Sequence, residues 1–406
     1  MADHKIINDP VFGFIRIPKG TLLNIVANPD FFRLSRIKQL GGANMVYPGA
    51  QHTRFQHSVG AFHLMSKAVR NLQTKGVEIS EEEEEAVEAA ILMHDIGHGP
   101  FSHVLEHTLI SGVCHEEISL MVMEKLNREF QGALTLAIKI FKDEHSKHFL
   151  HQLISSQLDM DRLDYLRRDS FFSGVTEGNI GSARIIDMLD VKDDHLVVEK
   201  KGIYSIENYL VSRRLMYWQV YLHKTGVSAE HVLINALSRA KDLARQGVEL
   251  HCSPALHFFL YQDIDKERFM ADEACLENYL DLDDNDIMSA LKVWQRHDDR
   301  ILSMLSQDFI GRRIFHVEVT DEAVPAAYID GIVTELSDRY GIGCEDVRKY
   351  LISQLEIGKD MYSIDEDKIE ILMKDGTTCD ISEVSDMLNI STLSKKVRKH
   401  YFCYQR

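Results

Sequence analysis

The chain reads first as a series of helical periodicities. Val59, Phe62, Val69 and Leu72 mark an amphipathic helix that begins within HTRFQHSVG, residues 52–60. Ser80 followed by Glu83 has the spacing of a capping box. The acidic run Glu81 to Glu85 suits the solvated start of a helix and its dipole. That helix continues through Ala86, Ala90 and Ile91 and delivers His94 and Asp95 near its end. Between residues 149 and 172, Leu150, Ile154, Leu158, Asp161 and Tyr165 are spaced 4, 4, 3 and 4, which is one helical face. Short β pieces interrupt the helices. Residues 10–18 alternate loosely, residues 195–206 read as a hairpin turning at Lys201-Gly202, and KIEILMKDGTTCDI turns at Asp375-Gly376. With only 7 prolines and no repeat or low-complexity linker, the expected fold is mainly α.

Composition narrows the class. The 406 residues are 45% hydrophobic and 27% charged, enough for a sizeable core in one large domain or two modest ones. The net charge of -17 disfavours a nucleic-acid-binding surface, which needs clustered Lys and Arg. It leaves room for a small anionic substrate, because a metal and a few arginines invert the local field. No stretch approaches the ~18 apolar residues of a membrane span, and the N-terminus lacks the apolar run of a signal peptide. Cys114, Cys252, Cys275, Cys344, Cys379 and Cys403 are scattered without a Cys-x-x-Cys pair. That fits a reducing compartment, so the expected location is cytoplasmic.

Chemistry concentrates in three segments. MHDIGHGPFSH, residues 93–103, offers the adjacent ligands His94 and Asp95, then His98 and His103, with Gly97, Gly99 and Pro100 turning the chain sharply. Its bland reading is a His-rich loop. Asp161 falls where the apolar stripe predicts a core residue, and a buried carboxylate costs several kcal/mol (order of magnitude) unless paired or bound to a cation. Its bland reading is a salt bridge to an arginine. His57, in the first turn of its helix, reads as a ligand, a cap or neither. Taken together, two imidazoles and two carboxylates suit a borderline divalent metal such as Fe, Mn, Ni or Zn. A metal of that kind activates water at neutral pH and neutralises charge on phosphorus.

The ordered pattern H…HD…D resembles the HD-domain phosphohydrolase superfamily. Within it the chain is similar to the deoxynucleoside-triphosphate triphosphohydrolases related to the sterile-alpha-motif HD-domain enzyme. The motifs are INDP (7–10), IKQLGG (37–42), YPGA (47–50), RFQHS (54–58), HDIGHGPFSH (94–103), CHEE (114–117), DRLDYLRRD (161–169) and RRLMYWQVYLHKTG (213–226). The resemblance implies an HD-domain core with an N-terminal extension over residues 1–230 and an HD-associated helical region over 231–406. It implies His57, His94, Asp95 and Asp161 as metal ligands, with Mg accompanying the triphosphate. It also implies His98 and His115 around the reacting phosphate, with Glu106 orienting His115 as general acid for the 5′ oxygen. Arg54, Arg162 and Arg213 match phosphate contacts, and His103 lies near the triphosphate. Tyr165 and Asp169 match the residues that bind the sugar 3′-hydroxyl, Gln39 and Leu40 the pair that crowds the 2′ position, and Tyr221 a base-stacking ring. The implied products are a deoxynucleoside and intact triphosphate, and the implied assembly is a homo-oligomer.

There are departures. Ala27 and Ser35 stand where the best-known relative reads guanine at an activator site, so GTP-dependent activation of that kind is not expected. Lys5, Asn8, His223 and Lys224 do match residues near the regulatory nucleotides. Two rival readings remain at this point. One is an HD hydrolase of a nucleoside monophosphate, a cyclic nucleotide or an alarmone. The other is a metal-binding regulatory protein without turnover. The spacing Gly174, Gly178 and Gly181 lacks the preceding strand of a dinucleotide fingerprint, and a serine nucleophile at Ser58 or Ser102 is unnecessary beside a metal.

Overall fold

The computed structural model describes residues 3–101, 103–110, 112–359, 368–386 and 397–406, with backbone only at residues 103, 106, 107 and 359. It is mainly α, as the periodicities predict. The helix Arg54–Thr74 packs against Glu81–Met93 on one side and Met160–Ser173 on the other, and their apolar faces join one continuous core. The predicted capping box at Ser80 is present: Glu83 N–H donates to Ser80 Oγ at 3.2 Å and Ser80 N–H to Glu83 at 2.9 Å. The run 81–85 is not all solvated, because Glu83 is buried and pairs with Lys147 at 2.6 Å.

The stripe over residues 149–172 is not one helix. It is split into His148–Gln152 and Met160–Ser173. The second helix starts afresh because the Asp159 side chain accepts the Arg162 N–H at 2.7 Å as an N-cap. Asp161 therefore sits in a first helical turn, with a side chain 26% exposed rather than in the core.

The β pieces also differ in detail. Strand Gly13–Pro18 pairs antiparallel with His4–Asp9, a partner the alternation did not single out. The hairpin near residue 195 turns at Asp193-Asp194, both at positive φ (50° and 64°), which matches a two-residue hairpin turn. Lys201-Gly202 instead lies in a 3-10 turn leading into the helix Ile203–Met216. The hairpin at Gly376 (φ 85°) forms as expected. Its strand Glu370–Leu372 then lies parallel to His195–Glu199, so residues from both halves of the chain share one sheet. The helix Lys224–Arg245 runs through residue 230, where the two regions were expected to meet. A second sheet joins His316–Thr320, Val397–Tyr404 and Ile352–Lys359. All six cysteines are free, and no helix among the described residues is long and apolar enough to cross a membrane.

Candidate active site

Three helix ends bring the expected ligands together. Arg54–Thr74, capped at Thr53, presents His57 one turn in; Glu81–Met93 ends at His94; Met160–Ser173 carries Asp161. His57 Nε2 lies 3.0 Å from Asp161 Oδ1, 3.2 Å from His94 Nε2 and 3.7 Å from Asp95 Oδ2. His94 Nε2 lies 3.4 Å from Asp161 Oδ1 and 3.5 Å from Asp95 Oδ1. The other ring nitrogens are engaged. His94 Nδ1 donates to the Ile91 carbonyl at 2.6 Å, and His57 Nδ1 donates to Asp164 Oδ2 at 2.7 Å. The two Nε2 atoms therefore face each other among carboxylate oxygens, an arrangement satisfied by positive charge at its centre, either an extra proton on His57 or a metal that displaces it. Burial opposes a charge on His57, yet Asp161, Asp164 and Asp95 overrule it and push its pKa up to about 10. Burial likewise opposes ionisation of Asp95, but Arg54 and the surrounding histidines hold it well below the usual carboxylate range. His57, His94 and Asp161 form a metal-competent cluster on distance alone, with Asp95 at its edge. The donor set therefore fits a divalent metal.

Behind His57 lies a dry ion network. Arg168 donates from Nε and Nη2 to Asp164 at 2.9 and 3.0 Å and from Nη1 to Asp9 at 2.8 Å. The other Asp9 oxygen accepts the N–H groups of Val11 and Phe12, which form the turn of the N-terminal hairpin. Gly60 is required here: a Cβ on it would lie 2.0 Å from both Arg168 Nη2 and Asp164 Oδ1. The general cost of glycine inside a helix, roughly 0.5–1 kcal/mol, is accepted to admit the ion pair.

The rings of His98 and His115, expected around the reacting phosphate, lie stacked at 3.8 Å and 20°. Their approach depends on Gly97, where a Cβ would come within 2.2 Å of the His115 carbonyl. His98 Nε2 is 3.3 Å from Asp95 Oδ1. Burial and the neighbouring Arg54 drive its pKa down to about 3, so it is neutral. His115 Nε2 lies 3.3 Å from Glu116. The side chains of His103 and Glu106, and all of Ser102, lie outside the described residues.

Cations flank the cluster. Arg54 Nη1 is 2.5 Å from Asp95, and Arg162 pairs with Asp159. Arg213, beside Arg162 and Tyr165, keeps Nε and Nη1 sealed from solvent with no hydrogen-bond partner among the described residues. Both oxygens of Asp169 are contacted: His52 Nε2 lies 2.7 Å from Oδ1 and Tyr221 OH donates to Oδ2 at 2.8 Å. A π-helical turn, Tyr217–Tyr221, brings Tyr221 there, with its ring 6.0 Å from Tyr165. Gln39 and Leu40 follow a backbone ladder onto the same region, with Gln39 N–H donating to the His52 carbonyl at 3.0 Å and Arg54 N–H to Ile37 at 2.9 Å. Gln39 Oε1 is buried without a partner. Lys224 lies elsewhere, on a separate basic cavity of about 630 Å³ with Arg312, Arg313 and His316.

Sequence reading missed His52, Asp164 and Asp9, and took Arg168 for a phosphate or solvent contact where it is a buried ion-pair partner. The Asp164–Arg168 pair had a signal, since opposite charges four apart share a helix face. His52 and Asp9 had none, because their partners are more than 100 residues away.

Comparison with known proteins agrees with this geometry. The HD domain family matches residues 54–169 and the HD associated region matches residues 180–250. The Bacillus subtilis protein YwfO is 31% identical across 100% of this chain and 92% of its own length. A phosphohydrolase from Bacteroides thetaiotaomicron has a solved structure that superposes with a TM-score of 0.97 at 63% identity, over 99% of this chain and 100% of that one. The deoxynucleoside triphosphate triphosphohydrolase SAMHD1 of Bos taurus is 29% identical over 62% of this chain, which spans only 51% of that longer protein. The chain belongs to the HD-domain phosphohydrolase superfamily.

Proposed function

We propose that the chain hydrolyses deoxynucleoside triphosphates to deoxynucleoside and inorganic triphosphate, using a divalent transition metal held by His57, His94, Asp95 and Asp161. The observation that carries this reading is the sealed edge of Arg213, which has no hydrogen-bond partner among the described residues and lies beside Arg162 and Tyr165. A desolvated guanidinium edge without an acceptor is costly and calls for an anion. Relatives named as deoxynucleoside triphosphate triphosphohydrolases support the choice of anion.

The metal, when bound, supplies Lewis acidity at phosphorus and a water activated at neutral pH. Arg54, Arg162 and Arg213 hold the phosphates, matching the several negative charges of a triphosphate with planar donors. Neutral His98 lines the reacting phosphate. Water oxygen bonds to the α-phosphorus, the bond to the 5′ oxygen breaks, and His115, oriented by Glu106, gives that oxygen its proton. His103 lies near the triphosphate. Asp169 and Tyr165 bind the 3′-hydroxyl. A carboxylate has about four lone-pair sites, so the bonds from His52 and Tyr221 leave Asp169 room to accept another. Gln39 and Leu40 crowd the 2′ carbon, and Tyr221 stacks on the base.

The test is a panel of the four dNTPs with product analysis and metal determination on the wild type and Asp161→Ala. Intact inorganic triphosphate is expected from the wild type, and the variant should lose metal and turnover together. Retained turnover in the variant, or release of pyrophosphate or orthophosphate instead, sinks the mechanism.

A further inference from the structure

The turn that follows His94-Asp95 is held from outside the HD segment. The carbonyls of Ile96 and His98 accept from Arg33 at 3.2 and 2.9 Å, and the Gly97 carbonyl accepts from Tyr279 OH at 2.8 Å. Phe101 closes the turn at φ 52°, in the left-handed region. That conformation is unfavourable for a bulky residue, so the surrounding bonds must impose it. Its N–H donates to Asp284 Oδ1 at 3.1 Å. The other oxygen of the same carboxylate, Oδ2, accepts the Lys38 N–H at 3.0 Å. One buried carboxylate from the C-terminal region thus bridges the turn after the His-Asp pair and the segment leading into Gln39 and Leu40.

We propose that Asp284 is a positioning residue for the nucleotide pocket, fixing the sugar-facing turn at Gln39–Leu40 against the turn that carries His98. The role assigned to those two turns rests on the triphosphohydrolase reading. The bridge itself rests on geometry. Two backbone donors converge on the side chain from different elements, and only a group with two acceptor oxygens serves both. An amide would turn one N–H into a donor facing a donor. Asp284 starts the helix Asp284–Trp294, so the bridge is anchored on a rigid element. Its neighbours extend the contact: the Leu282 carbonyl accepts from Arg33 at 3.5 Å and Asp283 pairs with Arg36 at 2.5 Å. The two turns also touch directly, since a Cβ on Gly41 would lie 3.9 Å from the Phe101 Cα. Asp284 is 6% exposed, and burial raises its carboxyl pKa to about 6. The carboxylate therefore costs stability where it stands, as expected of a group retained for site geometry rather than for folding.

Loosening the bridge lets the sugar wall move relative to the phosphate wall, so discrimination against a 2′-hydroxyl should suffer more than turnover as a whole. The experiment compares wild type, Asp284→Asn and Asp284→Ala as full-length, metal-loaded proteins. The ratio of kcat/KM for a dNTP to that for its ribonucleotide should fall about tenfold in Asp284→Asn with metal content unchanged, because a misplacement of about 1 Å can already cost as much as a hundredfold in rate. Hydrogen exchange by mass spectrometry should show peptides covering Lys38 and Phe101 losing protection together. A ratio unchanged beside a uniform loss of activity means Asp284 serves only folding and overturns the proposal. So does deprotection of one segment without the other. If Asp284→Ala does not fold, Asp284→Asn carries the test. If the wild type cleaves no nucleoside triphosphate, the functional reading fails separately, and paired exchange alone decides the bridge.

Discussion

Asp164→Asn separates the support of His57 from its role as a ligand. Asp164 is fully buried, accepts from His57 at 2.7 Å and makes two bonds to Arg168. Asparagine is nearly isosteric and keeps one acceptor oxygen, but its amide NH2 then faces a donor. The change removes one of the two carboxylates that neutralise Arg168. Breaking a buried ion pair from one side costs about 3–5 kcal/mol, and because Asp9 remains 2.8 Å from Arg168 the lower end is expected, about 3 kcal/mol. A second effect is independent of the first. His57 loses an ionised acceptor at Nδ1, so metal affinity should fall about 10–100-fold, or roughly 1.4–2.7 kcal/mol. Urea unfolding of the metal-free protein measures the first effect, and chelator competition on the folded protein measures the second. Lost stability with unchanged metal affinity would reduce Asp164 to a packing role. No change in either would refute the whole chain from Asp9 to His57.

Two further changes probe the same structure. Arg213→Met keeps the apolar stem and removes the unpartnered guanidinium. KM for the triphosphate should rise about 10–100-fold, the loss of one or two charge-assisted hydrogen bonds, while the thermal midpoint holds or rises; an unchanged KM in steady-state assays would mean no phosphate reaches Arg213. Glu88→Gln concerns the core between Arg54–Thr74 and Glu81–Met93, where burial, partly opposed by the hydrogen bond from Ser66, raises the Glu88 pKa from 4.5 to about 7. The folded state then holds its proton to higher pH than the unfolded state, so wild-type stability falls as pH rises from 4.5 to about 7 and is level above. The variant lacks that fall and should be more stable above pH 7 by up to about 3 kcal/mol, with no difference below pH 4.5, in urea titrations at both ends; equal stability at pH 8 would contradict it.

Much of the site was legible because its ligands lie on local patterns. The His94-Asp95 pair follows an apolar helix with a capping box, and both features formed as read. Asp161 was reached through a periodicity that did not survive. The stripe predicts one helix over 149–172, but Asp159 competes for the backbone N–H of Arg162 and starts a new helix there, a local choice that outweighs the apolar spacing. The hairpin near 195 was misplaced for a similar reason. Lys201-Gly202 has turn chemistry, yet Asp193 and Asp194 take the positive φ values, and the glycine is absorbed into a helix start.

What the sequence hides is the bracing, and its distribution explains why. His94 caps the C-terminal end of its helix, where the backbone has run out of intrahelical partners and its direction is set by whatever holds it next. Ser119 Oγ donates to the His94 carbonyl at 2.8 Å and accepts the Gly97 N–H at 2.9 Å, which fixes the exit of that helix. Arg33, Tyr279 and Asp284 hold Ile96, Gly97, His98 and Phe101 from sequence distances of 63 to 183. None of these partners looks chemical in the sequence, since each is a common residue in an ordinary helical pattern. A ligand at a helix end gains freedom to point into a shared centre, but it loses the helix as its scaffold. The positions that replace the scaffold must then come from elsewhere in the chain. On this reasoning residues 231–406, which carry none of the expected ligands, still help to set the distance between the turn that carries His98 and the turn at Gln39–Leu40. Activity should therefore be sensitive to changes near Leu282–Asp284, far in sequence from every donor atom.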